Sequence, residues 1–282
     1  MRIAAFDDDD QRGSAVVVDE LLYPLPDGTD PFGMLTAGRQ HPDWVLATCG
    51  LPLPLDAVRL LTPIEPVTVR HFATLGELRF TFGNPYSILG PADDVPVPPG
   101  SVAMGLGLEV AAVIGRAGRD LSPAEAADHI AGYTILNHWS APDVGTGTAT
   151  TLGPWLVSPD ELDCFRDGDG LLDLELAAYV NGERVGHDRL RHMGWTFGDM
   201  VAYASRGAEV RPGDVLGSGV CGNGGSLAQL WHRNGRQDPP PLRPGDVVTL
   251  TVQGIGTLTS RVVPGVAPVP IPPPKRRLID RA

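Results

Sequence analysis

Residues 122–143 read SPAEAADHIAGYTILNHWSAPD, and the order of signals within that stretch decides the kind of fold the chain adopts. Ser122, Pro123 and Glu125 form a helix start: a hydroxyl at the cap, proline at the first helical position, and a carboxylate three residues after the cap. The helix is expected to run through AEAADHI and to stop at Gly132, a residue able to take the left-handed conformation that ends helices. The run YTILNHW then reads as a strand carrying His138 among apolar neighbours. A short capped helix feeding a buried strand implies a sheet-based protein.

The same pattern extends outward. AMGLGLEVAAVIG, residues 103–115, is a second apolar strand, in which Gly107 and Glu109 share a face by alternation. A lone carboxylate in such a run must meet a cation or be protonated, because burying it unpaired is costly. LDLELAAYV-NG-ERV predicts a hairpin turning at Asn181-Gly182. RPGDV occurs at 211–215 and again at 243–247, each time as a turn feeding an apolar strand. The 35 glycines and 28 prolines, spread throughout, fit many short strands and turns. The expected organisation is a small β-rich unit over 1–62, a main domain over 63–263 and a proline-rich tail over 264–282. The acidic run Asp7–Asp10 lacks calcium-loop spacing and reads as a solvated turn.

Composition removes several functions. A net charge of −12 argues against nucleic acid and anionic membranes as partners, and Lys275-Arg276-Arg277 is too short to reverse it. No apolar run approaches the roughly 18 residues of a membrane span. The N-terminus turns acidic too early for a secretory signal. Cys49, Cys164 and Cys221 are odd in number and lack CxxC spacing, so a cytoplasmic location is expected, without disulfides or a thiolate metal site. The glycine-rich CGNGGS and GTGTAT lack the strand and helix that a dinucleotide site requires.

In order along residues 65–263, the chain presents FGNPYSILGPADDVPVP, LEVAAVIG, GYTILNHWSAPD, TLGPWLVSPDEL, VNGERV, RPGDVLGSG and LRPGDVVTLTVQGIGTL. That series resembles the fumarylacetoacetate hydrolase family. The resemblance implies a mostly β fold with a few helices, a mixed, rolled and barrel-like sheet, and assembly as a homodimer. It also implies chemistry on enolisable carbonyl compounds through an acidic Mg²⁺ or Ca²⁺ cradle. Here that cradle is rewritten. The metal-binding positions of the family fall on His71, Gly107, Glu109 and His138, its catalytic histidine on Leu78, and an arginine on Pro142. Hydrolysis by the family's usual route is therefore not expected, since Leu78 cannot act as a base.

Two histidines and one carboxylate favour Fe(II) or Zn over Mg²⁺ or Ca²⁺, and loss of a side chain at Gly107 would open a coordination position. Alternatively, His71 and Glu109 pair across a metal-free pocket in which His138 or His71 serves as acid and base. His71, Glu109 and His138 are thus the candidate catalytic residues, with Phe82, Trp139, Ser140, Asp143 and Ser218 as substrate contacts. His187 and His192 are expected at the surface. The leading expectation is a lyase, isomerase or cyclase step on a small-molecule carbonyl substrate in specialised metabolism. An inactive binding protein and a His/His/Glu iron oxygenase are the alternatives.

Overall fold

The computed structural model describes residues 1–8, 12–36, 47–73, 76–145 and 149–273. Asp9 and Asp10 of the acidic run, residues 146–148 and the tail beyond 273 lie outside them. The first five strands are β1 (Arg2–Asp7), β2 (Arg12–Val18), β3 (Leu21–Pro24), β4 (Leu53–Pro54) and β5 (Arg59–Leu61). Next come β6 (Thr68–Ala73), β7 (Arg79–Gly83), β8 (Ile88–Leu89), β9 (Val95–Pro96), β10 (Leu108–Ile114) and β11 (Gly118–Arg119). They are followed by β12 (Ile130–His138), β13 (Thr150–Val157), β14 (Glu175–Val180), β15 (Glu183–Arg189) and β16 (Glu209–Val210). The last three are β17 (Asp214–Gly217), β18 (Val247–Val252) and β19 (Gly256–Val263).

Twelve strands make one sheet, in the order β4-β3-β2-β1-β13-β12-β10-β17-β6-β7, with β5 on β1 and β8 on β13. A second sheet runs β15-β14-β18-β19-β9. Pairing is mixed: β17 lies parallel to β6, β8 to β13 and β9 to β19, while the other pairs are antiparallel. The mostly β expectation holds. So does the mixed sheet, which is open and not a closed barrel, since β4 and β7 end it without pairing to each other. Among the described residues no helix is long and apolar enough to cross a membrane.

All seven residues of β10 are buried, the mark of a strand covered on both faces. Its neighbours supply the main core, with Leu108, Val110 and Ile114 packed against Leu176, Leu250 and Met200. The capping box forms as read: Ser122 accepts from the Glu125 amide, and the Glu125 carboxylate accepts from the Ser122 amide. The helix it starts is shorter than expected, Pro123–Ala127, and Gly132 lies inside β12 instead of ending it. A Cβ at Gly132 would stand 2.8 Å from the Val157 carbonyl oxygen, so this glycine permits close approach of two strands. The hairpin does turn at Asn181-Gly182, with φ of 52° and 82°, between β14 and β15.

Candidate active site

Register places the candidate residues. Gly107 and Glu109 share a face, and the His138 amide donates to the Gly107 carbonyl, so His138 faces the same way. Ala111, two residues past Glu109, pairs with Gly217, which in turn pairs with His71. Three strands from distant parts of the chain thereby aim His71, Glu109 and His138 at one point on one face of the sheet.

There, His71 Nδ1 lies 3.3 Å and His138 Nδ1 3.4 Å from the same oxygen, Oε1 of Glu109. The two imidazoles stack on each other, with ring centroids 3.8 Å apart and planes 19° apart. Burial is graded. Glu109 is 1% exposed and His71 7%, whereas the His138 side chain is 35% exposed and forms the solvent side of the cluster. Burial by itself would push the Glu109 carboxyl up; the attraction of His71 and the hydrogen bonds from His138 and His71 outweigh it and hold the carboxyl at about 2. Glu109 is therefore the ionised member.

A carboxylate only accepts hydrogen bonds, so each imidazole it orients presents Nδ1–H to it and leaves Nε2 without a proton when neutral. Nε2 of His71 points at Gly83, where a Cβ would come within 2.8 Å. Of the two rings, His138 is the more exposed, at 35% against 7% for His71.

The donor atoms of the three residues lie within 4.8 Å of one another, which by distance alone could hold a cation. As the side chains stand, both Nδ1 atoms are turned to the same Glu109 oxygen, so the carboxylate engages them and they are not aimed at a separate cation position. Nor does Gly107 open a coordination position, since a Cβ there would meet the His138 carbonyl oxygen and Val220 Cγ1, each at 2.8 Å. With one carboxylate among these donors, the set does not fit the hard cation implied by the family resemblance.

The other sequence candidates scatter. Phe82 pairs with Arg70, one residue off the His71 register, and so stands on the opposite face, 68% exposed, against the Arg70 guanidinium. Trp139 follows His138 and, by the same alternation, points into the main core, donating to Thr151 Oγ1. Strand alternation removes both from the imidazole pair. Ser140, past the end of β12, bridges to Gly105, on which a Cβ would come within 2.9 Å of its Oγ. Asp143 braces a loop, accepting from Ser101 Oγ and the Val102 amide. Ser218 braces the strand beside Glu109: its Oγ accepts from the Val110 amide and donates to the Gly219 carbonyl. Leu78 is buried in the main core.

Two glycines of the site escaped the sequence reading. Gly217 and Gly83 lie against Glu109 Oε2 and His71 Nε2, and neither sits in a turn that would have flagged it.

A family model described as fumarylacetoacetate (FAA) hydrolase C-terminal matches residues 67–263. Protein Rv2993c of Mycobacterium tuberculosis is 32% identical over 249 residues, 79% of this chain and 86% of that protein. The crystal structure of 2-hydroxyhepta-2,4-diene-1,7-dioate isomerase from Mycobacterium marinum superposes with a TM-score of 0.74 at 28% identity, over 94% of this chain and 98% of that one. The 5-carboxymethyl-2-hydroxymuconate delta-isomerase of Mycobacterium smegmatis gives 0.72 at 28% identity, over 94% of this chain and all of that one, 100%.

Proposed function

The chain belongs to the fumarylacetoacetate hydrolase family, and from that premise we propose that it catalyses proton-transfer isomerisation of an enolisable carbonyl compound, with His138 as the base. The observation that carries this reading is the single Glu109 oxygen shared by two stacked imidazoles. The isomerase names of two relatives support the reaction class.

In the proposed step, Nε2 of His138 takes the proton from the carbon next to the carbonyl. The C–H electron pair moves into a new C=C bond, and the carbonyl oxygen becomes an enolate. The imidazolium formed is stabilised by Glu109, already ionised and in contact with Nδ1. Returning the proton to another carbon of the conjugated system completes the isomerisation, with no atom gained or lost. His71 is a positioning residue: it holds Oε1 from the buried side and limits Glu109 to one orientation.

The step as written uses the chain's own residues; the response to added Fe(II) or Zn²⁺ separates it from a His/His/Glu iron oxygenase, whose donors would be the same three residues. Deuterium incorporation tests the reading: acetylpyruvate, a small enolisable probe, is incubated in D₂O and followed by mass spectrometry. The expected result is enzyme-dependent exchange that falls by about 10²-fold or more in His138→Gln and in Glu109→Gln. Undiminished exchange in both variants, or exchange restored to a chelated sample only by added Fe(II) or Zn²⁺, would overturn it.

A further inference from the structure

A second histidine–carboxylate pair lies beside this centre. β15 ends at Asp188-Arg189, and the short 3-10 turn Leu190–Met193 brings His192 back over it. His192 Nδ1 is 2.6 Å from Asp188 Oδ1, and that carboxylate is nearly fully buried. Asp188 also accepts from the Arg189 amide, while the Arg189 guanidinium turns away to Asp173 and Glu175. Gly222 is shaped to the same carboxylate, since a Cβ there would fall 2.8 Å from Oδ2.

The pair forms one wall of a small cleft of about 180 Å³, room for one end of a ligand and less than the roughly 300–1,000 Å³ of a pocket that encloses a whole one. Its other surfaces are largely apolar: Leu190, Met193, Val220 and the Cys221 side chain. Burial, with the charge of Asp188 adding to it, pushes the Cys221 thiol up to about 12 and keeps it neutral. Val220, in the cleft wall, is also the side chain that a Cβ on Gly107 would meet at 2.8 Å, so the wall adjoins the strand region that leads into Glu109. The Ser218 and Cys221 amides donate to the carbonyls of Val110 and Leu108, on either side of Glu109.

An imidazole that gives Nδ1–H to a carboxylate keeps Nε2 as an acceptor when neutral. At the mouth of the cleft, on a side chain 54% exposed, such an acceptor can take a hydrogen bond from a hydroxyl on a molecule lodged against the apolar wall. Resting on the isomerase reading, we infer that this cleft binds the remote end of the substrate, that this end carries a phenolic or enolic hydroxyl, and that His192, oriented by Asp188, receives it. The substrate class becomes a hydroxylated, largely apolar carbonyl compound instead of a small dicarboxylate.

The test uses two probes that differ in the donor alone, p-cresol and its methyl ether 4-methylanisole, titrated into full-length protein with ¹⁵N-labelled histidine. p-Cresol is expected to shift the His192 imidazole resonances and to bind about tenfold more tightly than the ether, a difference of about 1.4 kcal/mol. His192→Phe, at an exposed position, and Asp188→Asn should both erase that preference. Glu109→Gln should retain it, because it removes the proposed catalysis and leaves the cleft. Equal affinity for both probes, or a p-cresol response confined to His138, would overturn the assignment. Failure of deuterium exchange with the preference intact would instead count against the isomerase reading alone.

Discussion

Gly217 lies directly under the carboxylate of Glu109: a Cβ built on it would collide with Oε2. The strand pair β10–β17 therefore closes over a buried charge only because one of its residues has no side chain. Gly217→Ala is expected to force the carboxylate off its place between the imidazoles, at a cost of about 1–3 kcal/mol in stability. Loss of deuterium exchange with acetylpyruvate reads the first effect, and thermal denaturation reads the second. An alanine variant with wild-type stability and exchange would show that the close fit is dispensable.

Glu109 also makes stability depend on pH in a defined direction. Its folded carboxyl is held at about 2, below the ordinary value of 4.5. A depressed carboxyl stabilises the fold fully above the unfolded value and loses that contribution as pH falls from about 4.5 toward 2. The expected loss is a few kcal/mol. Urea unfolding across that window should show a steeper decline for the wild type than for Glu109→Gln, which has no carboxyl to protonate. Parallel declines would place the acid sensitivity elsewhere.

Arg70 and Asp214 form a buried ion pair at 2.9 Å between neighbouring parallel strands, β6 and β17. Asp214 takes further hydrogen bonds from Thr68 Oγ1 and the Arg211 amide, and the Arg70 guanidinium lies over the rings of Phe80 and Phe82. Arg70→Met leaves that carboxylate buried without its cation and should destabilise by about 3–5 kcal/mol. Arg70→Met combined with Asp214→Asn should recover much of the loss. Equilibrium unfolding of the two single variants and the double one decides this.

Gly182 provides a contrast far from any proposed chemistry. With φ of 82° in the turn between β14 and β15, it tolerates a side chain poorly, although nothing crowds the position. Gly182→Ala should cost about 1 kcal/mol through backbone strain alone. Its exchange activity should match wild type, and the melting temperature measures the strain.

The elements read correctly from sequence are those whose cause is local. The Ser122–Glu125 capping box and the Asn181-Gly182 turn depend on residues within a few positions of each other, so their types and spacing suffice. Gly132 misled because a glycine after a helix-like run has two uses. Only the pairing of β12 with β13 reveals that it serves close strand approach. Phe82 and Trp139 stand next to site positions, Thr81 opposite His71 and His138 itself, yet fall on the other face. A neighbour in a strand is the residue least able to share a site.

From residues alone came a mostly β chain, its capped helix and hairpin, and, through ordered motifs, the expectation that His71, Glu109 and His138 stand together. The tertiary structure decided how those three meet: one shared oxygen, stacked rings, and a single imidazole toward solvent. It also placed Asp188 and His192 on a cleft whose wall, at Val220, adjoins Gly107. Residue type and order survive in a linear chain. The direction of a nitrogen lone pair does not, because it depends on pairing between strands that are far apart in sequence.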